Sequence, residues 1–221
     1  MTAPLQTVEH ETGSNPTVAV IWLHGLGADA RDFESVVPML SLGPDRPLRF
    51  VFPDAPLRPV TINGGFVMRA WYDVLGFGPD ATEDLDGIRE TAEALGLLIE
   101  QQESRGIGAG RIVLAGFSQG GAMALFTALR YPDSLGGVLA LSAYLPAIRT
   151  LREEAHEANR GVRIFMAHGE ADPVLPLWIG RQAHEQLESL GYVVSWKSYS
   201  MMHEVILEEL QDIREFLGEV L

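Results

Sequence analysis

The chain of 221 residues contains no cysteine. That excludes disulfide cross-links, a thiolate nucleophile and cysteine-bound zinc together. Lysine is nearly absent as well: Lys197 is the only one, and 16 basic residues face 30 acidic ones, a net charge of −14. Without a basic run there is no patch to hold nucleic acid or an anionic membrane surface, so neither is expected as a partner. The acidic residues cluster in stretches such as "TEDLDGIRETAE" and "EVILEELQDIREF", which read as solvated helix faces. Long apolar runs are also missing, since "VAVIWL" falls far short of the roughly 20 residues a membrane span needs. Residues 1–16 have neither a basic segment nor an apolar core, and read as an amino-terminal extension rather than a signal peptide. A cytoplasmic protein without stable membrane anchoring is expected.

What is present is an ordinary globular composition, 47% hydrophobic and 21% charged. Short apolar runs rich in β-branched residues read as strands over 17–23, 49–53, 111–116, 137–142, 162–168 and 193–199. Most are apolar on both faces, as parallel strands buried under helices must be. Helical patterns alternate with them. In "TEDLDGIRETAEALGLLIEQQESRG" the residues Leu85, Ile88, Ala92, Leu95 and Ile99 recur at spacings of three and four, with Thr82 as the expected N-cap. "GGAMALFTALRYP" stops at Pro132, "PLWIGRQAHEQLESLG" runs from Pro176 to Gly191, and "HEVILEELQDIREFL" closes the chain. This alternation predicts one α/β domain over 1–221, with a mostly parallel central sheet and helices on both faces. Residues 54–80, rich in proline and glycine, break the rhythm and read as an irregular insertion near the site. The aromatics Phe66, Trp71, Tyr72 and Phe77 argue that it is ordered.

One short stretch concentrates chemistry. In "VLAGFSQGGAMALF" Ser118 lies between Gly116 and Gly120, after a buried strand and before a helix. A strand-to-helix elbow of this type exposes a nucleophilic serine at the top of a sheet and aims helix amides at it. A serine needs a base, and in this architecture the acid and then the histidine follow in the chain. His184 falls mid-helix; His203 falls after the last strand, at the carboxyl end where sites assemble. Between serine and histidine, Asp172 follows a strand and precedes Pro173, which keeps it out of a helix; Glu170 is its nearest rival. The expected oxyanion donors are the backbone N–H groups of Gln119 and Leu26, the latter in the His-Gly-Leu-Gly turn after the first apolar strand. His24 is read as hydrogen-bonding that loop. His168 and Asp172 are both able to ligate a metal, but no third ligand is obvious beside them, so no metal is expected.

The stretches "WLHGLGAD", "GFSQGGAMAL", "LSAYLP", "HGEADPVLPL" and "MMHEV" together resemble the carboxylesterase and acyl-protein thioesterase family of α/β-hydrolases. "RPVTINGG" and "WYD" are similar to its bacterial carboxylesterase members. The resemblance covers nearly the whole chain from about residue 17. It implies an α/β-hydrolase fold and a cofactor-free serine hydrolase acting on a small-molecule ester or thioester. By the same resemblance Ser118, Asp172 and His203 carry the triad, Leu26 and Gln119 the oxyanion hole, and Trp71, Tyr144 and Val174 the acyl pocket. Arg69-Ala70 stands where the thioesterases more usually have Pro-Ser, and Tyr144 where tryptophan is found. The expected activity is hydrolysis of short- to medium-chain carboxylic esters by a monomer or homodimer. An acyl-protein thioesterase or lysophospholipase-like hydrolase is the alternative within the enzymes. A non-catalytic ligand-binding protein on the same fold is the alternative outside them.

Overall fold

The computed structural model describes residues 4–40, 42, 47–76 and 81–221. The amino-terminal three residues and Phe77, in the expected insertion, therefore lie outside the described residues. Seven strands form the main sheet: β1 (Thr7–Glu11), β2 (Val18–Leu23), β3 (Leu48–Pro53), β6 (Ile112–Phe117), β7 (Gly137–Leu141), β8 (Ile164–Gly169) and β9 (Val194–Tyr199). Their spatial order is β1-β3-β2-β6-β7-β8-β9. Only β1 is antiparallel to its neighbour, with Thr7 opposite Pro53 and Glu11 opposite Arg49; every other pair in this sheet is parallel.

The central strands β2, β3 and β7 are buried at every residue, which is why they read as unbroken apolar runs rather than alternating ones. Along β2 the side chains still alternate between two cores. Ala19, Ile21 and Leu23 join the core under α2 (Leu85–Ser104), α3 (Gln119–Arg130), α4 (Ile148–Glu154) and α5 (Leu177–Ser189). Val18, Val20 and Trp22 join the core under α1 (Val36–Leu40) and α6 (Leu207–Val220). The sheet is thus covered on both faces, as the alternating pattern predicted.

Three local expectations change. Residues 7–11, placed in an extension, form the edge strand β1, which Arg49 holds through its Nε bond of 2.8 Å to Glu11. Within 54–80, expected to be irregular, β4 (Leu57–Val60) and β5 (Phe66–Arg69) pair as an antiparallel hairpin. The N-cap of α2 is Asp84 rather than Thr82. Its Oδ1 accepts the Gly87 N–H at 3.0 Å while Oδ2 accepts the Asp73 N–H at 2.9 Å. Residue 87 must be glycine for this, because a Cβ there would lie 2.2 Å from Asp84 Oδ2.

Candidate active site

Ser118 joins β6 to α3 with φ 55° and ψ −120°, a backbone conformation that side chains rarely adopt. Holding a non-glycine residue there costs on the order of 1–3 kcal/mol, which the surroundings must impose. They do so by close packing. A Cβ on Gly116 would lie 2.2 Å from the Gly120 carbonyl carbon, and one on Gly121 would lie 2.7 Å from the Ala143 Cβ. Ser118 N–H donates to Leu141 O on the next strand at 2.8 Å, pinning the elbow to the sheet. Ser118 occupies the N-cap of α3, yet its side chain makes no capping hydrogen bond. The Oγ is thereby left for another task.

Asp172 and His203 come from different loops at the carboxyl ends of β8 and β9. His203 Nδ1 lies 2.6 Å from Asp172 Oδ2. A carboxylate only accepts, so Nδ1 carries the proton and the neutral ring keeps a bare, basic Nε2. The other carboxylate oxygen, Oδ1, accepts the Val174 and Leu175 N–H groups, both at 2.8 Å. Asp172 is buried and its orientation is over-determined. The His203 ring packs against Phe117, the neighbour of Ser118, with centroids 4.6 Å apart. The rival acid Glu170 is exposed and accepts from Ser198 Oγ. His184 sits mid-helix in α5, stacked on Trp196 at 5.3 Å.

The start of α3, with Gln119, packs against the end of β2: a Cβ on Gly120 would lie 2.6 Å from the O of His24, two residues before Leu26. At the first residue of a helix the Gln119 N–H has no partner within the helix. Its side chain reaches the other way: Oε1 accepts the Trp71 N–H at 2.9 Å and Nε2 donates to Tyr72 O at 2.8 Å. The Leu26 turn is held at Gly27, whose N–H donates to Arg69 O at 2.8 Å. Arg69 in turn bonds Ala55 O at 2.9 Å and pairs with Asp54 at 3.0 Å. His24 Nε2 accepts the Ala55 N–H at 3.1 Å, so its Nδ1 donates to Gly25 O at 2.7 Å. Burial lowers the His24 pKa, which suits this neutral, structural ring. The sequence carries a signal for His24 but none for the Gln119 side chain or for Arg69, whose partners lie about 50 and 15 residues away in the chain.

The three residues expected in an acyl pocket part company. Tyr144 lines a cavity of about 560 Å³ with Tyr72, Leu145, Ile148, Trp178 and Ile179. Its hydroxyl is bonded to that of Tyr72. Trp71 is instead fully buried, its Nε1 donating to His24 O at 2.9 Å, and Val174 is 53% exposed; neither lines that cavity. Among the described residues no three His, Asp or Glu side chains gather as a metal site.

The family model for phospholipases and carboxylesterases matches residues 6–221. The chain belongs to the phospholipase/carboxylesterase family. It is a hydrolase on an α/β-hydrolase fold. It is 38% identical over 212 residues to acyl-protein thioesterase 1 of Debaryomyces hansenii, covering 92% of this chain and 91% of that protein. The crystal structure of Arabidopsis thaliana SOBER1 superposes with a TM-score of 0.86 at 28% identity, over 92% of this chain and 98% of that one. That of esterase PE8 superposes with a TM-score of 0.84 at 28% identity, over 99% and 100%. Among the described residues of this family member, no helix is long and apolar enough to cross a membrane.

Proposed function

We propose that this protein is a serine hydrolase of the acyl-protein thioesterase type, a single domain that cleaves acyl thioesters and esters through an acyl-enzyme. The carrying observation is the 2.6 Å bond between His203 Nδ1 and Asp172 Oδ2, with the His203 ring packed on Phe117, the residue before a serine held at positive φ. His203 Nε2 takes the Ser118 proton as Oγ attacks the acyl carbonyl carbon. The backbone N–H groups of Leu26 and Gln119 receive the negative charge on the carbonyl oxygen, and the positive end of the α3 dipole favours it. The protonated His203 then gives its proton to the departing thiol or alcohol, leaving Ser118 acylated. Water, deprotonated by the same Nε2, attacks the acyl carbonyl carbon; the Ser118 Oγ–acyl bond breaks, His203 returns the proton to Oγ, and the acid leaves.

The thioesterase reading is favoured over the short-chain esterase reading by the relatives: a protein 38% identical across nine-tenths of the chain bears the acyl-protein thioesterase name. The 560 Å³ cavity beside Tyr144 is lined by apolar side chains such as Leu145, Ile148 and Trp178 and by polar ones such as Glu83, Arg149 and Gln182, and no residue of the proposed triad lines it, so the choice between the readings rests on the relatives. A second reading, hydrolysis of short- to medium-chain carboxylic esters, draws on the paired hydroxyls of Tyr72 and Tyr144. They add a polar wall where a long hydrocarbon would prefer an apolar one.

The test is hydrolysis of p-nitrophenyl esters from two to twelve carbons, beside acyl-thioester peptides, with Ser118→Ala as control. Thioester turnover exceeding that of short aryl esters, and lost in Ser118→Ala, is expected. Turnover peaking at two to four carbons supports the second reading. Full activity in Ser118→Ala, or no labelling of the wild type by a fluorophosphonate, overturns both.

A further inference from the structure

His168, one residue before the end of β8, has its side chain wholly buried, and the mechanism above does not use it. Its Nε2 lies 2.7 Å from Leu175 O and 3.5 Å from Asp172 Oδ2, the same oxygen that His203 Nδ1 approaches to 2.6 Å. Both neighbours of Nε2 only accept, so Nε2 carries the proton and the neutral ring leaves Nδ1 bare. Nδ1 is buried with no hydrogen-bond partner. It faces Gly180 of α5 so closely that a Cβ there would lie 2.2 Å away. The imidazole also stacks on Trp196 of β9, centroids 6.2 Å apart. A second proton would have to sit on Nδ1, against a backbone with no acceptor, and burial lowers the His168 pKa.

We infer that His168 is the positioning residue of the catalytic acid: its Nε2–H, on a ring packed against Gly180 and Trp196, holds the Asp172–Leu175 loop so that Oδ2 points at His203. The inference rests on the triad reading above. Asp172 has two anchors on Oδ1, the Val174 and Leu175 amides, and these belong to the loop that Asp172 itself begins. They shape the loop but do not fix it to the sheet. The backbone ties the start of the loop, Asp172 N–H to Gly169 O at 3.4 Å and Ala171 N–H to Met201 O at 3.1 Å; His168 adds the side-chain attachment at its far end, from β8 into the Leu175 carbonyl. Because the ring stays neutral it also adds an N–H dipole to the carboxylate without placing a second cation beside His203. The charged and titratable groups around the pair are Asp172 and His203, with His184 behind Trp196.

The test exploits geometry within the side chain. Asparagine ends near the Nδ1 position and cannot reach Leu175 O, whereas glutamine carries an amide near Nε2. His168→Asn is expected to lower kcat about 10- to 100-fold with KM within about twofold, the scale of a misplaced catalytic group. The acidic limb of its kcat/KM profile should move to lower pH, because a poorly aimed carboxylate stabilises the imidazolium less. His168→Gln should recover most of kcat and the wild-type profile. Gly180→Ala leaves the imidazole in the chain but drives a Cβ into it, and should reproduce the asparagine phenotype even where His168→Asn fails to fold. Unchanged kcat and pH profile in Gly180→Ala, or a glutamine variant as impaired as asparagine, overturns the inference. Fluorophosphonate labelling separates the two levels. Wild type that does not label strikes at the triad itself, whereas a labelled wild type with unaffected variants strikes only at the role of His168.

Discussion

The α-carbon of Gly120 rests against the carbonyl of Leu23, so that a Cβ on it would lie 2.5 Å from the Leu23 oxygen and 2.6 Å from that of His24. This contact seats the first turn of α3 against the end of β2, next to the turn that carries Leu26. The second glycine of the Gly-x-Ser-x-Gly motif serves an approach between helix and strand as much as the turn itself.

Gly120→Ala is therefore expected to push the start of α3 away from β2. Turnover should fall about 100-fold, as for other small displacements of catalytic groups. Stability should fall by about 1–3 kcal/mol, the cost of overpacking. Steady-state kinetics and urea unfolding of the same preparation check both.

Gln119→Leu keeps the backbone N–H but removes the side-chain bonds to Trp71 N–H and Tyr72 O. Two buried polar groups lose their partner, at about 1–3 kcal/mol each. Thermal denaturation should show a drop of several degrees. Retained stability would mean that water or another group replaces the amide.

The Tyr72–Tyr144 hydroxyl pair gives the cavity a polar wall. Replacing both by phenylalanine should raise kcat/KM for twelve-carbon relative to four-carbon esters by about tenfold, a difference in the range that pocket contacts worth 1–3 kcal/mol produce. An unchanged ratio in the ester series would remove the pair from substrate selection.

Glu209 in α6 is fully buried, and neither carboxyl oxygen makes a well-formed hydrogen bond. Burial pushes its carboxyl from 4.5 up to about 8, the Asp212 charge adding to the rise and the Ile206 backbone offsetting part of it. The folded state keeps a proton that the unfolded chain releases above 4.5. This contribution to stability is complete below that pH, declines as pH rises towards about 8, and is gone above it. Glu209→Gln, which needs no proton to stay neutral, should melt on the order of 10 °C higher than wild type at pH 8.5 and close to it at pH 4.5. Parallel melting curves across that range would contradict the buried neutral acid.

The elements best legible in the sequence are those whose environment is simplest. Strands β2, β3, β6, β7 and β8 lie under helices on both faces, so burial alone dictates their composition. β1 escaped because "TVEHE" is an exposed edge strand that owes its place to pairing with β3 and to Arg49, neither of which is a local property. β4 and β5 escaped because their apolar residues Leu57, Phe66 and Val67 face solvent and follow no core. The N-cap at Asp84 depended on the Asp73 amide, which a different segment supplies.

The same division runs through the site. By itself the sequence determined that a serine stands between glycines at a strand-to-helix junction, that Asp172 and His203 follow it in the order this chemistry requires, and that thiol chemistry is excluded. Only the tertiary structure decided which polar atoms meet: Asp172 with His203, Gln119 with the Trp71 amide, and His168 with the Leu175 carbonyl. Trp71 and Tyr144 show the limit most plainly. Both are large aromatics in stretches resembling the family, yet one is fixed under the His24 carbonyl and the other lines the cavity. The reason is physical. A strand or an elbow is written in the preferences of neighbouring residues, whereas a hydrogen bond across the sheet depends on packing that brings distant segments within about 3 Å.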